Sequence, residues 1–268
     1  MRAPGSKPIL FLAILFVAAT FLAWYFSWFG RELTDDDISK YLAEEQKPRH
    51  VQHALLQIQQ RIERGDGNAK KWYPQLITLS GHPETEYRLT VAWLMGFDNK
   101  SPEFHDALLR LLKDPEPIVR RNAALALVRF NDHSGREELL AALKPYPIKA
   151  PADGVVTSLQ EGATVARRTL LSRVQQSDGK VIEVRSPLPG RINKVLKPNG
   201  SQVSRDEEVL NLIPDEDSVW EALRGLSLIG TKDDLQLVNS YATSTDASNR
   251  IKEQATLTVK SIQSRNAD

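Results

Sequence analysis

Cysteine is absent from the 268 residues, which excludes disulfides, thiolate metal sites, a catalytic thiol and a lipidated cysteine anchor. An excess of one charge is missing too, with 35 Lys and Arg against 34 Asp and Glu and a net charge of +1. A nucleic-acid binder would carry a dominant basic stripe, so nucleic acid is not an expected partner. No glycine-rich loop ends in Gly-Lys-Ser/Thr to cradle a phosphate. The segment Gly225-Leu226-Ser227-Leu228-Ile229-Gly230 lacks the glycine two residues after serine that a nucleophile elbow needs. His50 and His53 stand at i, i+3 and could share a metal, but no third ligand of suitable spacing accompanies them. His82, His105 and His133 fall at helix starts or loops without a serine partner. No catalytic residue, metal, cofactor or small-molecule substrate is expected.

What is present is an ordinary folded composition, 41% apolar and 26% charged, and one long apolar run. Ile9 to Phe29 carries no charge and approaches the ~20 residues that cross a bilayer as a helix. Arg2 and Lys7 precede it, and Arg31 follows ahead of Glu32, Asp35, Asp36 and Asp37; counting only basic residues gives a modest bias toward a cytoplasmic N-terminus. A cleaved signal peptide has an apolar region of ~7–15 residues. This run instead continues through Trp24, Tyr25, Phe26, Trp28 and Phe29, which suits a membrane–water interface. The sequence therefore predicts a cytoplasmic N-terminus at 1–8 and a transmembrane helix at 9–29. The chain would be single-pass in the inner membrane, with its bulk periplasmic.

Helical punctuation follows. Thr34 with Asp37 has capping-box spacing before Ile38, Tyr41 and Leu42, and a second helix after Pro48 presents Val51, Leu55, Ile58 and Ile62. Blocks then repeat. Asp114-Pro115-Glu116-Pro117 opens a helix through Val119-Arg120 and Ala123-Ala124-Leu125; 32 residues earlier, His82-Pro83-Glu84 precedes Tyr87-Arg88 and Ala92. A later block starts at Asp246, 132 beyond Asp114. Each start combines a capping residue with proline, which needs no N–H at the first helical position. Shorter helices are expected from Trp72 to Leu79, from Phe104 to Leu112, and after Ser134, where Glu137 gives capping-box spacing. Paired helices with this start, an arginine one turn in and an Ala-Leu face resemble HEAT repeats. Such repeats stack into solenoids, and the resemblance implies protein binding. Asp114, Pro115, Arg120 and Arg88 are the repeat signature, with capping and inter-repeat bonding as their expected role.

Between Leu143 and Trp220 the helical period gives way to short alternating strands and tight turns. Pro151-Ala152-Asp153-Gly154 matches Pro187-Leu188-Pro189-Gly190 at a shift of 36, and Gly162 matches Gly200 at a shift of 38. Two halves with these P-x-x-G and x-G-x-x-V turns resemble the biotinyl/lipoyl domain, a flattened barrel of two interlocking four-strand halves. The resemblance places a carrier lysine on the hairpin between halves, where Lys180 is the one candidate. Neither Met-Lys-Met nor the usual lipoyl surroundings are present, so an ordinary turn lysine is expected. Unmodified barrels of this kind occur in adaptors of export systems, where a long helical hairpin joins the halves; here a short turn does.

A simple continuation of the 32-residue period would put Asp246 64 residues beyond Asp114 rather than 132; the excess of 68 equals the length of 147–214. The expected fold class is thus α+β multidomain: helical HEAT-like repeats at 30–146, a lipoyl-like barrel at 147–214 inserted in the third repeat, and a helical continuation at 215–268. The expected function is a membrane-anchored scaffold or accessory subunit of an envelope complex, with protein partners in or near the membrane. The alternatives are a divergent export adaptor of membrane-fusion type and a biotin/lipoyl carrier subunit.

Overall fold

The computed structural model describes residues 6–28, 32–158 and 161–265. The chain is α+β, with helices and two antiparallel four-stranded sheets. It forms two compact units, Met1–Arg61 and Ile62–Asp268.

The first unit holds α1 (Ser6–Trp28), α2 (Asp35–Ala43) and most of α3 (Pro48–Glu63). Among the described residues no helix is long and apolar enough to cross a membrane. This overturns the transmembrane helix at 9–29, and with it the inner-membrane location and the periplasmic placement of the remainder. The flanks used for that reading, Arg2, Phe29 and Arg31 and the side chains of Lys7 and Trp24 to Trp28, lie outside the described residues. In α2 the capping box forms: Asp37 N–H donates to Thr34 Oγ1 at 3.1 Å and Thr34 N–H to Asp37 Oδ2 at 3.3 Å. Ile38, Leu42, Val51, Leu55 and Ile58 are buried at helical spacing.

The second unit opens with a 3-10 turn, Gly67–Trp72, and then α4 (Tyr73–Leu79), α5 (Thr85–Met95), α6 (Pro102–Leu111), α7 (Pro117–Arg129) and α8 (Arg136–Ala141). Trp72, Leu76, Tyr87, Val91, Phe104, Leu108, Val119 and Leu127 are all buried. After the strands come α9 (Glu216–Ile229), α10 (Leu235–Thr243) and α11 (Asn249–Arg265). Although all eight strands separate them in sequence, α8 and α9 pack on each other, and α9 also touches α7 and α11. One apolar cluster joins Leu139, Leu140 and Leu143 to Leu223, Leu226, Ile229, Ile251, Ala255 and Ile262. The second helices of successive pairs pack on one another. Asn122 Nδ2 donates to Leu89 O at 3.2 Å across α7 and α5, and Thr258 Oγ1 to Leu223 O at 2.9 Å across α11 and α9.

The strands are β1 (Tyr146–Lys149), β2 (Gly154–Ser158), β3 (Thr164–Val165), β4 (Leu170–Gln175), β5 (Val181–Arg185), β6 (Gly190–Val195), β7 (Gln202–Val203) and β8 (Glu208–Pro214). Their sheet orders are β1-β8-β6-β3 and β5-β4-β2-β7. Advancing each strand by four, counted cyclically, converts the first order into the second. Each sheet therefore takes two strands from either half, around a core of Val156, Leu171, Val174, Ile192, Val209 and Leu210. The duplication extends to loop hydrogen bonds. Arg168 N–H donates to Ser186 O at 2.7 Å, and 38 residues on Asp206 N–H donates to Ala150 O at 2.8 Å. These two non-glycine residues share a left-handed backbone, with φ of 68° and 66°. The first and last strands are neighbours, with Tyr146 opposite Leu212.

Candidate functional site

The residues singled out from the sequence take definite places. Arg88, only 9% exposed, donates from Nε to Asp114 Oδ2 at 2.6 Å and from Nη2 to Oδ1 at 3.0 Å. Its Nη1 turns back to His82 O at 2.8 Å and Pro83 O at 2.9 Å. Arg120, one repeat later, does the same to Asp114 O at 2.9 Å and Pro115 O at 3.1 Å, and reaches Glu138 with Nε at 3.0 Å. Asp114 is not the helix cap itself. Glu116 occupies that position without a side-chain bond, and Asp114 Oδ1 instead accepts from Glu116 N–H at 2.9 Å. The Asp114 carboxylate holds the Arg88 guanidinium above its usual pKa.

The glycines among the strands serve close approach and turns. A Cβ on Gly154 would lie 2.3 Å from Gln175 O, and one on Gly190 2.4 Å from Ile213 O, the same contact in the two halves. Gly162 and Gly200 have φ of 82° and 88°, the left-handed region that glycine enters without penalty. Pro151 lies between β1 and β2, where its carbonyl accepts from Arg205 Nε at 3.2 Å; Pro187 lies between β5 and β6. Lys180 is exposed in the turn joining β4 to β5, where its N–H donates to Asp178 Oδ1 at 2.9 Å. In the first unit His50 Nδ1 bonds the Glu44 carboxylate, and its ring stacks on Tyr41 at 4.2 Å. Burial, followed by the nearby His50, pushes the His53 imidazole below its usual pKa, and His53 Nε2 has no hydrogen-bond partner. Among the described residues no group of three or more His, Asp or Glu could hold a metal.

The structure brings together a different set. Trp93 on α5, Leu125, Val128 and Arg129 on α7, and Glu221, Arg224, Gly225 and Leu228 on α9 line one groove of about 110 Å³. Gly225 lets α9 sit close to α8, since a Cβ there would be 2.7 Å from Leu139 Cδ1. The Arg129 guanidinium lies over Phe97 at 4.4 Å and Trp93 at 5.1 Å, and that of Arg224 over Trp220 at 5.4 Å. Burial, then the neighbouring Arg224, draws Arg129 below its usual pKa. Burial, with Asp217 and Asp215 nearby, pushes the Glu221 carboxyl up. Leu228 is 57% exposed. No site motif in the sequence marks these residues. The usable signal was the 32-residue shift, which puts Leu125 on Trp93 and Arg129 on Phe97.

Comparison with known proteins gives a consistent class for the helices. The family model for HEAT repeats matches residues 73–155, so HEAT-like repeats are present in this chain, and such repeats suggest protein partners. No curated protein matches the chain. Among solved structures, the chain is similar to a crystal structure of an engineered protein, a Northeast Structural Genomics Consortium target. The two are 14% identical, with 85% of this chain and 79% of that one covered, at a TM-score of 0.43. A score below 0.5 does not establish a shared fold.

Proposed function

We propose that this protein is a non-enzymatic scaffold that holds a partner protein in the groove across α5, α7 and α9. The observation that carries the reading is the groove itself, where an exposed Leu228 adjoins Trp93, Arg129 and Arg224 on packed helices. Aromatic and arginine side chains are the types enriched in protein interfaces. A photo-crosslinking residue at Leu228 should give discrete adducts with a partner, and one at Arg110, exposed on α6, should not. Equal labelling from both positions would defeat the reading.

We further read 147–214 as a biotinyl/lipoyl-type barrel inserted in a helical repeat, between helical parts at 30–146 and 215–268. The paired glycine contacts, the paired left-handed residues and the cyclic strand order support this. The barrel serves as a docking module rather than a carrier, with Lys180 an ordinary turn lysine. Peptide mass analysis of the protein from its own cell should find Lys180 unmodified; a biotinyl or lipoyl adduct would replace this reading with the carrier one.

A further inference from the structure

We infer that the occupant of the groove is a segment of a partner protein in which one carboxylate is flanked by apolar side chains. The inference rests on the reading of the groove as a protein-binding face and adds the chemistry of what it binds. Arg129 and Arg224 come from the adjacent helices α7 and α9 and wall the same cavity of about 110 Å³. Among the described residues neither has a carboxylate within ion-pair distance. Each guanidinium lies over an aromatic ring, which fixes its plane and leaves N–H donors for a planar acceptor. Glu221 in the same wall offsets part of the Arg224 charge, and Glu63 part of the Arg129 charge. The two guanidiniums still repel each other, and a carboxylate between them relieves that repulsion through charge-assisted hydrogen bonds.

The rest of the wall narrows the choice. Leu228, 57% exposed, and Trp93 offer apolar surface beside the arginines. Glu221 stands in the same groove with Asp217 and Asp215 near it. A run of acids would meet their repulsion, so the groove selects a single acid with apolar neighbours over an acidic tract.

Three blocked pentapeptides, Gly-Leu-Glu-Leu-Gly and its Gln and Lys counterparts, titrated to millimolar concentration into the full chain, test this. The readout is the NMR signal of the Trp93 indole, assigned with Trp93→Phe. The Glu peptide should move that signal and bind about tenfold more tightly than the Gln peptide. Arg129→Gln and Arg224→Gln should each reduce Glu-peptide binding to the Gln-peptide level, with Arg224→Lys retaining part of the preference. Circular dichroism confirms that each variant is folded. Equal binding of Glu and Gln peptides, or preference for Lys, overturns the acidic occupant and leaves a protein-binding groove standing. No movement of the Trp93 signal by any peptide overturns both.

Discussion

Arg88 is held by two bonds to one buried carboxylate and two backbone carbonyls, so its loss strands a charge. Arg88→Met should cost about 3 kcal/mol in chemical denaturation, because removing one partner of a buried pair leaves the other uncompensated. A loss below 1 kcal/mol would show that water reaches Asp114. His53 supplies a pH effect. Its folded pKa lies below the unfolded value of about 6.5, so the stabilisation is fully present above that value and is lost as pH falls through the folded pKa. The melting temperature should decline below pH 6.5 less steeply in His53→Gln than in the parent. Gly190→Ala should cost about 1–3 kcal/mol through overpacking against Ile213 O, and the symmetric Gly154→Ala a comparable amount. At this scale the sequence was half legible. The importance of Arg88, Asp114 and Gly190 was visible from repetition. The inter-repeat bonding expected of Asp114 was visible too, but not the identity of its partner, Arg88, which lies 26 residues away and is set by stacking rather than by local rules.

Elements were legible where a local rule governs them. The capping box at Thr34 forms as its spacing dictates. The same rule failed at Ser134. Asp132 Oδ1 accepts from Ser134 N–H at 2.6 Å, and α8 starts from Gly135, where a Cβ would stand 2.6 Å from Ala124 Cα. Close packing on α7 selected the glycine and displaced the cap. For α1, length and apolarity pointed to a membrane span, yet no described helix meets the requirement. The groove was hidden for another reason. Trp93, Arg129 and Leu228 share no local motif and meet only when α5, α7 and α9 align. On α9, Leu228→Asp should abolish cross-linking of a partner at the groove while changing stability by less than about 0.5 kcal/mol, as for an exposed position. A large stability loss would instead make Leu228 a core residue.

Within the second unit the strands and helices are also tied through a loop. Arg167 bonds the Glu86 carboxylate, and Arg168 Nη2 lies 2.9 Å from it, joining the β3–β4 turn to α5. Glu86→Ala should speed deuterium uptake across 166–169 without lowering the protection of β4 and β8. Unchanged uptake would mean the turn is held by its own backbone bonds.

The pairing of β1 with β8 also bears on how the chain assembles. As the chain is synthesised, α8 emerges well before its partner α9, with every strand still to come. An unstructured connection of that length would impose a loop-closure entropy on the search for α9, growing with the logarithm of length. Once the strands fold, Tyr146 faces Leu212, and the long connection becomes a short one. The two sheets thus act as a splint: their folding should precede the joining of α8 to α9 and set the rate at which the helical core closes.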